Sequence, residues 1–168
     1  RGSSVSFAYR ASFFSPVRLV GPVGEDCPEA LLDPLERREG IDLSGLEVRA
    51  GAKTFRWHGR YDNDIKIRET LSVELNVLAE ASPEIPEAFR DTELVFLANT
   101  HPGLQVELLG MLAGPKLVVA DTMDLWIETE QAALTEMIGL IDGLVLNDAE
   151  ARQFTGELNV ISAGAQLV

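Results

Sequence analysis

From residue 93 onward the chain alternates between short apolar runs and stretches of helical character, and few folds accept that rhythm. Glu93 to Ala98 reads as a strand, and Lys116 to Asp121 and Gly143 to Leu146 read as two more. Pro102 stands at a helix start, and Gly114-Pro115 stops that helix. Leu125, Ala132, Ala133, Met137, Ile138 and Ile141 trace an apolar helical stripe, at least from Ala133 onward. Asp148 is expected to cap a helix ended by Gly156, and Asn159 to cap another. Strands alternating with helices require a parallel sheet covered on both faces, an α/β class. Ligands of such sheets gather at the carboxyl ends of the strands. That rule selects Asn99, Asp121 and Asn147, each of which closes or follows an apolar strand.

The first part of the chain is less regular. Val17 to Val23 is a buried-strand pattern leading into Gly24-Glu25-Asp26. Asp26 is a candidate N-cap for a helix running toward Arg38, with Gly40 as its stop. Pro34 is awkward there, because it removes a helical hydrogen bond, so Asp33-Pro34 is a candidate restart of a second short helix. Between about 41 and 80 the period changes to two. Phe55, Trp57, Gly59 and Tyr61 alternate with Thr54, Arg56, His58 and Arg60, and Leu71, Val73, Leu75 and Val77 alternate with Ser72, Glu74 and Asn76. A small antiparallel sheet with one wet face is expected, turning near Asp62-Asn63-Asp64.

Charge narrows the partners. The net charge is −13, and it is concentrated: residues 61–168 hold 5 Lys+Arg against 19 Asp+Glu. Such a surface repels phosphate backbones and argues against nucleic acid. A nucleotide is still admissible, since helix N-termini and a cation can hold phosphates. Apolar runs are strand-sized, so no membrane partner is expected. A lone Cys27 and the lack of a basic-then-apolar leader fit a reducing cytoplasm. The chain opens on Arg1 and closes on Ala163-Gly164-Ala165-Gln166-Leu167-Val168, within an expected helix, so a fragment is expected.

Asn147-Asp148-Ala149-Glu150 carries the most chemistry. It sets an amide at a strand end and a carboxylate in the first helical turn, where free amides and the positive dipole end lie. A carboxylate there can hold hydrated Mg²⁺; equally, the four residues can form an ordinary cap. Other candidates are weaker. Asp121 and Asp124 are spaced unlike the acid pair of aspartyl-phosphate enzymes. His58 shares a strand face with Arg56 and Arg60, and His101 precedes Pro102 as a loop or cap residue. Scattered His and Cys make no zinc site, and neither Gly-x-Gly-x-x-Gly nor a P-loop sequence occurs.

The segment Ile141 to Ala151 resembles the Asn-x-x-Glu region of PfkB (ribokinase-like) carbohydrate kinases. Val20-Gly21-Pro22-Val23-Gly24-Glu25-Asp26 is similar to the family's early strand and Gly-x-Asp turn, and Asp121 to Ile127 to a strand-end segment of one subgroup. Gly2-Ser3-Ser4 looks like the tail of its glycine-rich sugar motif, with Arg1 where the first glycine would stand. The resemblance runs in order over nearly the whole chain. It implies a three-layer α/β/α sandwich with a parallel central sheet, interrupted at about 41–80 by an antiparallel lid. It further implies ATP and Mg²⁺ as cofactors, a sugar or nucleoside substrate, and a homodimer through the lid. Asn147 and Glu150 would serve metal and phosphate, and Gly2 and Ser3 the substrate; Asn99 and Asp121 lie near the site by topology alone. The family's catalytic Gly-Ala-Gly-Asp does not occur in these residues, so the expected activity belongs to a parent protein. The rival expectation is a binding or interaction module that keeps the fold without the transfer chemistry.

Overall fold

The computed structural model describes residues 2–61 and 68–167. The expected turn at Asp62-Asn63-Asp64 and the departure at Arg1 lie outside the described residues. The chain divides into two compact units, Arg1–Phe7 with Ile85–Val168, and Ala8–Glu84. The boundary falls inside α1 (Ser3–Ala11), a helix not anticipated from the sequence.

The larger unit carries the alternating pattern. Strands β5 (Leu94–Leu97), β6 (Leu117–Asp121) and β7 (Gly143–Val145) form a parallel sheet in the order β5-β6-β7. Its crossovers are α3 (Pro102–Gly110) and the pair α4 (Asp124–Thr129) and α5 (Gln131–Ile138). The apolar stripe is carried by two helices, because Glu130 leaves helical geometry at φ −131°, ψ 35°. Leu97, Val118, Ala120, Ile127, Leu134 and Met137 form one buried cluster between sheet and helices. After β7 follow α6 (Asp148–Thr155), ended by Gly156 at φ 77°, and α7 (Val160–Gln166), capped by Asn159. The cap of α6 is Asn147, one residue earlier than expected.

The smaller unit differs more from expectation. β1 (Val17–Gly24) and β2 (Ile41–Arg49) pair in parallel, joined by α2 (Glu29–Glu36). Ile41–Arg49 therefore belongs to a parallel pair, and among the described residues antiparallel pairing is confined to β3 (Arg56–Tyr61) with β4 (Arg68–Glu74). One helix passes through Pro34 without a restart, and it is capped by Pro28; Asp26 makes other bonds. The register of the hairpin shifts between His58 and Gly59, which sets Thr70 opposite Gly59 and leaves Leu71 as the extra residue. That shift breaks the simple alternation. Trp57 lies across Gly59, where a Cβ would fall 1.9 Å from an indole carbon, and its indole N–H donates to Thr70 Oγ1 at 3.2 Å. Among the described residues no helix is long and apolar enough to cross a membrane.

Candidate functional site

A parallel sheet presents its strand ends together, and the residues that follow β5, β6 and β7 are the ones selected from the sequence. Gln105, almost fully buried in α3, ties two of those ends. Its Nε2 donates to the carbonyls of Leu97 (3.3 Å), Ala98 (3.1 Å) and Asp121 (3.4 Å). A buried amide with three backbone acceptors holds the mouth of the sheet in one geometry.

Asp121 is the centre of the arrangement. Burial pushes its carboxyl up to about 6, the neighbouring Glu150 charge adds to the rise, and the Ser3 hydroxyl and Asn99 backbone oppose it. Among the described residues its Oδ1 is buried without a hydrogen-bond partner. Ser3 Oγ accepts the Asn99 N–H at 3.1 Å while its hydroxyl serves Asp121, so the start of α1 is bound to the ends of β5 and β6. The side chain of Asn99 is committed elsewhere: Oδ1 accepts the Trp126 indole N–H at 2.8 Å. His101 packs edge-on against Trp126 and caps α3, its Nδ1 accepting the Gly103 N–H at 3.0 Å.

Asn147 and Glu150 form a complete capping box. Asn147 Oδ1 accepts the amides of Ala149 and Glu150, both at 2.9 Å, and Glu150 Oε2 accepts the Asn147 N–H at 2.9 Å. The capping reading of this motif is therefore realised. It does not exhaust Glu150, whose buried carboxylate (6% exposed) also raises the pKa of Asp121 across the site. The structure thus brings Ser3, Asn99, Asp121 and Glu150 together, with Asn147 holding Glu150. Gly2 precedes α1 and makes no side-chain contribution. Sequence reasoning missed the Ser3–Asp121 and Trp126–Asn99 links, since both join residues far apart in the chain. Among the described residues no group of three or more His, Cys, Asp or Glu could hold a metal ion.

Solved structures place this architecture. A fructokinase from Xylella fastidiosa, also solved with ATP, superposes with a TM-score of 0.73 at 20% identity, covering 97% of this chain and 55% of its own. The fold is that of the ribokinase-like (PfkB) kinases. A nucleoside kinase from Burkholderia thailandensis, in complex with inosine, gives 0.70 at 16% identity, covering 91% of this chain and 50% of that one. An E. coli protein assigned as a ribokinase II, with ATP and Mg²⁺, gives 0.72 at 12% identity, covering 98% and 56%. The chain spans about half the length of these ribokinase-like structures. No family model matches the sequence, and no curated protein matches it. The antiparallel β3–β4 hairpin fits the small lid sheet of the ribokinase-like fold.

Proposed function

We propose that this chain is part of an ATP-dependent kinase that transfers a γ-phosphoryl group to a hydroxyl of a sugar or nucleoside, with Mg²⁺. The observation that carries the reading is the half-buried Asp121 carboxyl, with its Oδ1 buried and unpartnered among the described residues, close to Glu150 at the carboxyl ends of a parallel sheet. Two carboxylates that repel one another when both are charged favour a cation between or beside them. An all-oxygen donor set of few carboxylates suits Mg²⁺, which keeps several of its waters. Glu150 and Asp121 would hold it, with Asn147 orienting Glu150 through the capping box. Bound there, Mg²⁺ would neutralise charge on the transferred phosphate. Gly2 and Ser3 would contact the substrate, with the Ser3 hydroxyl also positioning Asp121.

The 168 residues contain no Gly-Ala-Gly-Asp, so the base that takes the substrate proton would come from elsewhere in the parent protein, and this chain alone would be inactive. The hairpin would exclude water from the reaction and pair two subunits. The fructokinase and the inosine-bound neighbour support a sugar or nucleoside as substrate. The acidic surface and single cysteine support a cytoplasmic protein that binds neither nucleic acid nor membranes. A binding module without transfer chemistry is the second reading, favoured by the complete capping box and the missing catalytic motif.

ATP consumption by the complete parent protein, measured over a panel of sugars and nucleosides with and without Mg²⁺, tests the proposal. Substrate-dependent, Mg²⁺-dependent ADP release is expected. Sugar or nucleoside binding with no ADP release under any condition would support the binding module instead.

A further inference from the structure

The Gly24-Glu25-Asp26 turn closing β1 has no part in the function proposed above, yet Gly24 has no room for a side chain and Asp26 is bonded through both carboxylate oxygens. We propose that this turn is a clamp that roots the β3–β4 hairpin, with Thr54 as its hub and Asp26 as the positioning residue. The inference concerns the hairpin only and stands whether or not the hairpin covers a substrate.

Glycine is needed at position 24 because a Cβ there would fall 2.4 Å from the carbonyl carbon of Lys53 and 2.5 Å from Ala52 O and Thr54 N. Backbone meets backbone, and no side chain can yield. Three bonds use that closeness. The Gly24 N–H donates to Thr54 Oγ1 at 3.0 Å, the Glu25 N–H to Ala52 O at 3.2 Å, and Asp26 Oδ1 accepts the Thr54 N–H at 2.6 Å. The other Asp26 oxygen takes Arg56, the first residue of β3, at 2.5 Å. Acceptance of the Thr54 N–H, joined by the Arg56 charge, holds the Asp26 carboxyl below its ordinary range, as a built partner set does.

The second leg of the hairpin is fastened to the same hub. Asn76 Nδ2 donates to Thr54 O at 2.9 Å, and the Val77 N–H donates to Lys53 O at 3.1 Å. Asn76 holds φ 48°, a left-handed backbone that asparagine tolerates better than most residues. Thr54 thus spends its N–H on Asp26, its carbonyl on Asn76 and its hydroxyl on Gly24. Both legs are thus fixed at the end of β1, and the register shift between His58 and Gly59 lies beyond the clamp.

Amide hydrogen exchange on the full chain tests the clamp. Asp26→Ala is expected to speed exchange in 53–61 and 68–77 by at least about fivefold, while 94–145 keep their rates. Asp26→Asn retains an acceptor for the Thr54 N–H but loses the ion pair, so it should recover most of the protection in 53–55 and less in 56–61. Asn76→Ala should reproduce the effect from the other leg. Unchanged hairpin rates in Asp26→Ala would overturn the clamp. So would a uniform rise across 53–77 and 94–145, or an Asp26→Asn protein indistinguishable from Asp26→Ala.

Discussion

The two units of this chain treat their polar groups in opposite ways. In Ala8–Glu84 two charged side chains next to the strands, Arg49 and Asp26, are each held by several partners. Arg49, 17% exposed, bonds to Glu47, Glu80 and the carbonyls of Val77 and Ala81, and Asp26 binds the Thr54 N–H and Arg56. In the unit with β5, β6 and β7, Asp121 Oδ1 and Thr100 Oγ1 at the strand ends are buried without partners among the described residues. Structural polar groups are normally satisfied, and under the function proposed above the unmatched Asp121 oxygen would take its partner from a bound cation. One unit spends its polar chemistry on holding shape, and the other keeps some in reserve.

The largest effect should come from breaking the multiply bonded side. Arg49→Ala leaves Glu47 and Glu80 without their cation and frees two carbonyls, and should cost about 3 kcal/mol in chemical denaturation. A loss under about 1 kcal/mol would mean that these bonds are incidental.

Asp121→Asn should act in the opposite direction. The carboxyl is raised toward about 6 from an ordinary value of 3.8, chiefly by burial. Between those values the folded state binds the extra proton, so stability falls as pH rises through that window. Below it both states are protonated and the penalty vanishes; above it the penalty is complete. The variant should therefore be more stable than the parent at pH 7.5 by about 1 kcal/mol, discounted for solvent screening, and equal to it at about pH 3.5. Thermal unfolding at the two pH values checks the sign.

Smaller changes sharpen the contrast further. Trp126→Phe deletes the indole donor to Asn99 and should cost about 1 kcal/mol, read by urea unfolding. Arg37→Ala removes only an exposed pair with Asp33, 79% and 46% exposed, and should change stability by less than about 0.5 kcal/mol.

Much of the larger unit was legible because its signals are local. Pro102 at the first position of a helix, Gly156 after one and Asn159 as a cap each declare themselves within a few residues. What failed was non-local or geometric. Ile41–Arg49 looks half-exposed by its alternation, and its parallel partner β1 is chosen by the intervening α2, beyond any short window. The stripe from Leu125 to Ile141 hides the break at Glu130, because apolar residues fall on both sides of it. The bulge at Gly59 shifts Thr70 toward Trp57, and no two-residue period foresees a one-residue insertion. The strand-end residues were found by topology, whereas Ser3 joined them through a contact 96 residues long.

Divalent-cation titration of the intact chain, followed by the paramagnetic resonance signal of free Mn²⁺, examines the reserved acids directly. Glu150→Gln keeps an acceptor for the Asn147 N–H and so preserves the cap, while removing the charge. Saturable binding is expected, weakened at least about tenfold in Glu150→Gln and in Asp121→Asn. Equal binding by all three proteins, or none by the parent chain, would contradict the reading of Asp121 and Glu150 as a cation site.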